Sequence, residues 1–333
     1  MPRQARLDVP GALHHIMTRG KSCEKNIIPS FQKILILFFY FFSILFLDCT
    51  NLKEIRYECT PKFSFAVLAD PRDGRDTWRN AILEIRDMKI NPKPFFNRAE
   101  FLIVAGDMDP LEERYNDYNE LFAESSAKPK FLPVIGNHEF ENGGKHFRYA
   151  RDIIIPLIPN VVRRHSKSCD YYFDYMNARI IAVDGYSELG KNGVINNIGM
   201  EWVEQIIMST PENIKHVFIS FHEPAFPRYS HLNDAFNESL RERDAFWEML
   251  VRHRGKVRAV FVGHTHNYYR MRVFYPSGVK ANSFTDFPDE EEGIYQIDAG
   301  ASGKGDINTI VQVQIDYILE PCRQKMALIN RLK

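Results

Sequence analysis

Short apolar runs alternate with amphipathic stretches along most of the chain. Runs with the β-branched and aromatic composition of buried strands lie at residues 63–69, 101–105, 131–135, 171–175, 179–184, 216–221 and 257–262. Between them, apolar residues recur at helical spacing in residues 76–88, 111–125, 199–208 and 239–253. This alternation predicts an α/β fold, because helices that alternate with strands cover the faces of a largely parallel sheet.

The C-terminal part lacks this alternation. Residues 270–274, 293–299 and 310–316 have strand-like composition with no helical pattern between them, which predicts a second, antiparallel sheet. Residues 276–292 are polar and end in an acidic run, so we expect a solvated loop there.

An unbroken apolar run precedes the predicted fold. Residues 34–47 read ILILFFYFFSILFL, and Lys25 and Lys33 precede them. The run is too short for a comfortable membrane span but fits the apolar part of a secretion signal or a short anchor. A buried core helix is the alternative, although this run has no polar face to present to solvent. We therefore expect residues 25–50 to be a signal peptide or membrane anchor, and the protein to be extracytoplasmic, either secreted or anchored through residues 34–47.

The first residues resemble a different kind of protein. Residues 1–20, MPRQARLDVPGALHHIMTRG, resemble the opening of REP-associated tyrosine transposases, and the likeness ends near Gly20. The catalytic tyrosine and the metal-binding histidine pair of those enzymes lie downstream of this opening, in sequence that this chain does not contain. We therefore interpret residues 1–24 as a fused fragment or a misplaced start outside the fold, and we expect no DNA-processing activity. Residues 60–333 are then expected to form a single domain.

Composition makes several classes of function a poor fit. Lysine plus arginine equals aspartate plus glutamate at 43 residues each, so no net charge favours nucleic acid, and none is expected as a partner. The five cysteines include no C-x-x-C pair, which argues against a zinc ribbon or a thioredoxin-type site. We expect contact with a membrane only through the N-terminal apolar run, and the sequence does not set the oligomeric state.

Five of the predicted strands end in residues that can bind a metal ion. These residues are, in chain order, Asp70, Asp107, Asn137, His222 and the pair His264 and His266. In open α/β sheets, ligands bind in the crevice outside the carboxyl ends of the strands, so these side chains are expected to converge. A single polar residue after a strand is usually a turn residue, but five such endings favour a shared site. Imidazole, carboxylate and amide oxygen together suit Mn, Fe or Zn.

The ordered set of strand ends resembles a known family. The calcineurin-like metallophosphoesterases carry D-x-H, G-D-x-x-D, G-N-H-[ED], an isolated histidine and then G-H-x-H, and this order matches residues 63–305. The glycine-rich DAGASGKG at residues 298–305 is similar to the segment that follows the last motif. The resemblance implies a two-sheet β-sandwich flanked by helices, with four layers in the order α/β/β/α. It also implies hydrolysis of a small phosphorylated substrate, a phosphomonoester or phosphodiester, by a metal-activated water at a centre of two divalent or trivalent ions.

The resemblance assigns a role to each matching residue. Asp107 would bridge the two metal ions. Asp70 and His266 would hold one ion, and Asn137, His222 and His264 the other. His138 would give a proton to the leaving group or stabilise its charge, and Glu139 would orient His138.

Two positions depart from the family pattern. Arg72 stands where the family has a histidine ligand, and a guanidinium cannot bind a cation. Purple acid phosphatases, which also lack that histidine, have a tyrosine where this chain has Pro110. Asp73 or Asp109 could replace the missing ligand, Arg72 could bind the substrate phosphate or form an ion pair with either aspartate, or the site could hold a single metal. The alternative function is therefore a non-catalytic or single-metal protein that binds a phosphate ligand.

Overall fold

The computed structural model describes residues 63–87, 98–125, 128–304 and 309–315. The transposase-like residues 1–24 and the apolar segment 25–50 lie outside the described residues, so both interpretations stay predictions, as does the single domain over residues 60–333. Among the described residues, no helix is both long enough and apolar enough to cross a membrane.

The described residues form strands and helices close to the predicted ones. The strands are β1 (Phe63–Leu68), β2 (Ala99–Ala105), β3 (Lys130–Val134), β4 (Val161–Arg163), β5 (Tyr171–Tyr175), β6 (Ala178–Ala182), β7 (Gly190–Lys191), β8 (Val194–Ile195), β9 (His216–Ser220), β10 (Val257–Val262), β11 (Tyr268–Val273), β12 (Ile294–Ala299) and β13 (Val311–Ile315). The α-helices are α1 (Arg75–Asp87), α2 (Leu111–Leu121), α3 (Glu141–Tyr149), α4 (Asn197–Met208) and α5 (Leu240–Arg252). A 3-10 turn, Asn137–Phe140, precedes α3, and a π-helical turn, Ala150–Ile154, follows it.

Two sheets account for most of the strands. The four-stranded sheet has the order β13-β1-β2-β3, and the seven-stranded sheet has the order β11-β12-β10-β9-β6-β5-β4. β1, β2 and β3 are parallel, as are β6, β9, β10 and β12. The parallel strands of each sheet bring their carboxyl ends to one edge, which is the arrangement that the strand-end residues require.

The prediction of a separate C-terminal antiparallel sheet is wrong. β12 pairs in parallel with β10, and β11 pairs with β12 as the edge strand of the seven-stranded sheet. β13 joins the other sheet, antiparallel to β1. Every residue of β12 and of β13 is buried, so each strand needs a partner and a covered face that a small separate sheet would not provide.

Aromatic side chains fill the space between the two sheets. Phe65 of β1 stacks on Phe101 of β2, with ring centroids 4.6 Å apart. It also meets Phe218 of β9 edge-on at 5.2 Å and Phe261 of β10 at 5.9 Å. This core fixes the position of one sheet relative to the other, and therefore of their strand ends.

Helices cover the outer faces of the sandwich. Trp78 and Ile82 of α1 belong to the same buried cluster as the strands of the four-stranded sheet. Val203 of α4 and Phe246 and Trp247 of α5 pack on the seven-stranded sheet. The predicted α/β fold with two sheets and flanking helices is confirmed. The sequence did not predict α3, because Gly143 and Gly144 give that segment low helix propensity.

Candidate metal centre

The carboxyl ends of strands from both sheets meet at one edge of the sandwich. The backbone N–H of His264, which follows β10, donates to the carboxylate of Asp70, which follows β1, at 3.0 Å. His222, which follows β9, places its Nδ1 2.7 Å from the carbonyl oxygen of Ala105, the last residue of β2. These hydrogen bonds join the two sheets directly beneath the predicted ligands.

Four of the predicted ligands sit on left-handed backbone. Their φ angles are 48° for Asp70, 54° for Asp107, 72° for His264 and 56° for His266. Positive φ is uncommon for residues other than glycine, and such strained conformations cluster at functional sites. Each of these turns directs a polar side chain across the end of its strand instead of into solvent.

Asp70, Asp107 and His266 form one group of ligand atoms. These atoms all lie within 4.8 Å of one another. Asp70 Oδ1 is 3.6 Å from His266 Nε2, and among the described residues this buried oxygen has no hydrogen-bond partner. A buried carboxylate oxygen without a partner is costly unless a proton or a cation binds it, and burial raises the pKa of Asp70 well above its ordinary value.

Asp107 also faces His222. Its Oδ1 lies 3.3 Å from His222 Nε2 and accepts a hydrogen bond from the backbone N–H of His138 at 3.2 Å. Because a neutral His222 uses its Nδ1 proton on the Ala105 carbonyl, its Nε2 turns a lone pair toward the carboxylate oxygen. Two lone pairs at this separation repel each other unless a proton or a metal ion lies between them.

Asn137 and His264 supply the remaining predicted ligands. Asn137 Oδ1 and His222 Nε2 are buried, and neither has a hydrogen-bond partner in the part of the chain that the structure describes. His264 Nε2 lies 2.8 Å from the carbonyl oxygen of Asp234, which leaves Nδ1 as the available ligand atom. The orphaned oxygen and nitrogen atoms around Asp107 therefore fit a metal centre, and the donor set suits Mn, Fe or Zn.

The electrostatics of this cluster are those of a site prepared for a cation. Burial would raise the pKa of Asp107, but the charges of His222 and His138 bring it below its ordinary value. Burial would lower the pKa of His222, yet Asp107 and Asp70 raise it well above its ordinary value. Burial lowers the pKa of His264 to about 2, so that ring is neutral and ready to bind a metal ion.

Two glycines leave room for these side chains. A Cβ on Gly106, at φ +90°, would lie 2.2 Å from His222 Nδ1, and a Cβ on Gly136 would lie 2.4 Å from Asp107 Oδ1. No side chain fits at either position without moving a ligand. The glycines that precede Asp107 and Asn137 are therefore part of the centre.

The sequence over this region matches one protein family. The model of the calcineurin-like phosphoesterases matches residues 63–268, more than half of the chain. The chain belongs to this family. A search of curated proteins found no match for the phosphoesterase.

A solved phosphatase structure shares the fold. A purple acid phosphatase from yellow lupin seeds superposes on the phosphoesterase with a TM-score of 0.51 and 13% identity, covering 78% of this chain and 48% of the lupin protein. A dimetal phosphatase from Danio rerio gives a TM-score of 0.47 at 14% identity, covering 77% of this chain and 99% of that protein. The phosphoesterase spans about half the length of the lupin protein, and at this identity the likeness bears on the fold alone.

The predicted role of Glu139 is wrong. Both oxygens of its carboxylate accept hydrogen bonds from backbone N–H groups, those of Asp107 at 3.0 Å, Met108 at 2.7 Å and Gly136 at 2.7 Å. Glu139 is the third residue of the 3-10 turn, and a glutamate there reaches back to the N–H at the start of the turn. It thereby fixes the backbone at Asp107, the central ligand, instead of orienting His138.

A different carboxylate contacts His138. Glu141 Oε1 lies 2.7 Å from His138 Nδ1, and the opposite ring nitrogen, Nε2, lies 3.6 Å from Asp107 Oδ2 and contacts the Arg72 guanidinium. The family motif ends at Glu139, so no motif points to Glu141. This pairing leaves Nε2 as the ring atom of His138 that faces the metal ligands.

Arg72 lies inside the site and pairs with both nearby aspartates. Its Nε is 3.6 Å from Asp73 Oδ2 and 3.6 Å from Asp109 Oδ1. Asp109 groups with His138 and Glu141 and not with the ligands of the first ion. Of the alternatives that the sequence left open, the ion pair is the one observed, and the group of candidate ligands beside Arg72 consists of Asp70, Asp107 and His266.

Sequence reasoning missed several residues around the centre. Asp298, at the end of β12, accepts from the Thr265 hydroxyl at 2.7 Å and from the backbone N–H of Gly300 at 2.9 Å. The strand-end pattern that pointed to the ligands also applies to Asp298 and could have found it. His231 lies in a loop that the sequence favours as solvated, and the centroid of its ring is 4.3 Å from that of His264.

Proposed function

We propose that this phosphoesterase hydrolyses a phosphomonoester or a phosphodiester at a dinuclear metal centre. Asp70, Asp107 and His266 would hold one ion, and Asp107, Asn137, His222 and His264 the other. The observation that carries the proposal is a set of buried candidate ligand atoms that have no hydrogen-bond partner among the described residues, namely Asp70 Oδ1, Asn137 Oδ1 and His222 Nε2. Mn, Fe and Zn all suit these donors, and such ions supply a water that ionises near neutral pH and positive charge for the phosphoryl oxygens.

Side chains beside the metal ligands would handle the leaving group and the phosphate. His138 would donate a proton from Nε2 to the leaving oxygen, because Glu141 Oε1 lies 2.7 Å from Nδ1 on the other side of the ring. Arg72 would bind a phosphoryl oxygen, since its guanidinium contacts the same ring nitrogen of His138. Both side chains already lie beside Asp107, so neither has to move across the site to play its role.

Metal analysis and hydrolysis together test this function. The full chain, purified without chelator, is expected to hold about two equivalents of metal by elemental analysis and to hydrolyse p-nitrophenyl phosphate or its diester. His222→Ala and Asp107→Ala should reduce hydrolysis to background. If both variants keep wild-type rates, the reaction does not use this centre.

A single-metal protein that binds a phosphate ligand is the second candidate. Arg72 occupies the position of a ligand and pairs with Asp73 and Asp109, so the first ion has one protein ligand fewer than the family pattern supplies. One equivalent of metal after saturation, together with phosphate binding but no turnover, would favour this candidate.

Export through the N-terminal segment is a separate proposal. Its support is the apolar run at residues 34–47. Cell fractionation of the full chain and of a form without residues 25–50 would test it. Equal recovery of both forms from the cytoplasm would refute export.

A further inference from the structure

The glycine-rich segment after β12 packs against the loop that carries Asp70. Ser302 donates two hydrogen bonds to the carbonyl oxygen of Ala69, one from its backbone N–H and one from its hydroxyl, both at 2.8 Å. The backbone N–H of Lys304 points at the Asp70 carbonyl oxygen at 3.4 Å. The segment is therefore held directly beside the first metal-binding loop.

Glycines permit this close approach. A Cβ on Gly74 would lie 1.9 Å from the carbonyl oxygen of Gly303, and a Cβ on Gly303 would lie 2.2 Å from the carbonyl oxygen of Pro71. Both contacts are to backbone, which cannot turn away as a flexible side chain would. The two loops touch only because both positions are glycine, and this contact brings Lys304 alongside Arg72 and Asp73.

Lys304 and Arg72 share one carboxylate oxygen. Asp73 Oδ2 lies 3.5 Å from Lys304 Nζ and 3.6 Å from Arg72 Nε. The Asp73 side chain is 56% exposed, whereas that of Arg72 is 17% exposed. The structure thus holds two cations around a single anionic oxygen at the edge of the metal centre. The anion in this place is a solvent-exposed side chain that can rotate away.

Arg72 would keep its position without Asp73. Asp109 Oδ1 is also 3.6 Å from Arg72 Nε, and the guanidinium contacts His138. Departure of the Asp73 carboxylate would therefore leave an anion site formed by Arg72 and Lys304, adjacent to the ligands Asp70 and His266. Guanidinium and ammonium groups are the usual partners of phosphoryl oxygens.

We propose that Arg72 and Lys304 form a binding subsite for a phosphoryl oxygen, which displaces the Asp73 carboxylate, and that this subsite makes the phosphoesterase select phosphomonoesters over phosphodiesters. The proposal rests on the proposed function. A monoester dianion has three non-bridging oxygens and two negative charges, whereas a diester has two such oxygens and one charge. The third oxygen of a monoester can meet the cation pair, but in a diester that position carries a second ester group.

Lys304→Met tests the subsite, because methionine keeps the length of the side chain and removes its charge. p-Nitrophenyl phosphate and bis(p-nitrophenyl) phosphate share a leaving group, so their ratio of kcat/KM reports monoester preference alone. Lys304→Met is expected to lower this ratio about tenfold, the effect of losing one charged hydrogen bond, and Lys304→Arg should restore most of it. Lys215, exposed at the amino end of β9 and thus at the opposite edge of the sheet, gives the matched control Lys215→Met.

Inorganic phosphate, measured by calorimetry on the full chain, supplies a second readout that does not depend on turnover. Phosphate should bind about tenfold more weakly to Lys304→Met. It should bind more tightly to Asp73→Asn, because the competing carboxylate is gone. A purely structural role for Asp73 would not tighten binding.

The outcomes separate this proposal from the proposed function. An unchanged ratio in Lys304→Met, or phosphate binding to Asp73→Asn that is no tighter than to the wild type, overturns the subsite. If the wild type hydrolyses neither ester, the proposed function fails, and the phosphate affinities of the variants still decide whether the cation pair binds phosphoryl oxygens.

Discussion

Replacing Thr265 by valine would test how far the two imidazoles on either side of it depend on one buried hydroxyl. Thr265 is fully buried between His264 and His266, and its hydroxyl donates to Asp298 Oδ2 at 2.7 Å. Asp298 is also fully buried, and its other oxygen accepts from the backbone N–H of Gly300. Valine keeps the shape of threonine but leaves Asp298 Oδ2 without this donor.

The size of the effect follows from that lost donor. A buried polar group left without a partner costs about 1–3 kcal/mol. If the loop shifts to relieve this cost, His264 and His266 shift with it. Affinity for metal then falls by roughly 10- to 100-fold, the range expected when a residue that orients a metal ligand is changed. The two ranges overlap, so Thr265→Val should weaken metal binding by a free energy within this range.

Competitive metal titration and thermal unfolding measure the two effects separately. Thr265→Ser is the matched control, because it keeps the hydroxyl and loses only a methyl group. We expect serine to retain metal affinity close to that of the wild type. If valine and serine bind metal equally well, or if valine lowers stability without changing metal affinity, Asp298 does not position the two histidines.

Three further predictions test other contacts of the site and the fold. Glu141→Gln should slow hydrolysis of alkyl phosphates by tenfold or more but that of p-nitrophenyl phosphate much less. The alkyl leaving group is poor and needs the proton that His138 supplies. Equal slowing of both substrates would refute the role of Glu141. Gly106→Ala should lose its metal, as measured by elemental analysis, and its free energy of unfolding should fall by about 2 kcal/mol or more. The reason is that the added Cβ would clash with His222 and that residue 106 has a φ of +90°. Full metal content would contradict this geometry. Burial raises the pKa of Asp170 from 3.8 to about 7, so the native state binds the extra proton between these values and stability falls as pH rises from 4 to 7. This penalty is at most ~4 kcal/mol, and chemical denaturation across this pH range should show a shallower decline in Asp170→Asn; an unchanged slope would refute it.

The local sequence pattern was enough to predict strands that are buried on both faces and helices that bury one face. β2 is buried along nearly its whole length and reads as an apolar run, and α1 buries Trp78, Ala81, Ile82 and Ile85 at helical spacing. The local pattern does not predict the sheet to which a strand belongs. β13 pairs with β1, from which it is separated by most of the domain, and no local pattern encodes that partner. The C-terminal strands were therefore recognised as strands but assigned to the wrong sheet.

Candidate ligands could be predicted because the strand-end rule acts on residue type and position. The directions of neighbouring side chains could not. Glu139 and Glu141 are two residues apart, and either could have reached His138 on the sequence alone. The 3-10 turn decides between them, since it folds Glu139 back onto the N–H of Gly136 and leaves Glu141 beside the His138 ring. The motifs predicted which residues form the site, whereas the geometry of the turn decides which of these side chains contact each other.

The arginine in the first motif is best understood through charge. A histidine at position 72 would add a neutral ligand, whereas Arg72 adds a positive charge next to a site that must bind cations. Two neighbouring carboxylates balance that charge, because Asp73 Oδ2 and Asp109 Oδ1 each lie 3.6 Å from the Arg72 Nε. Arg72 is thus balanced by Asp73 and Asp109, without drawing on the buried carboxylates of Asp70 and Asp107. A phosphoryl oxygen that displaces Asp73 would balance this charge in its place. The arginine that stands where the family has a metal ligand would then also give the phosphoesterase a place for an anionic substrate.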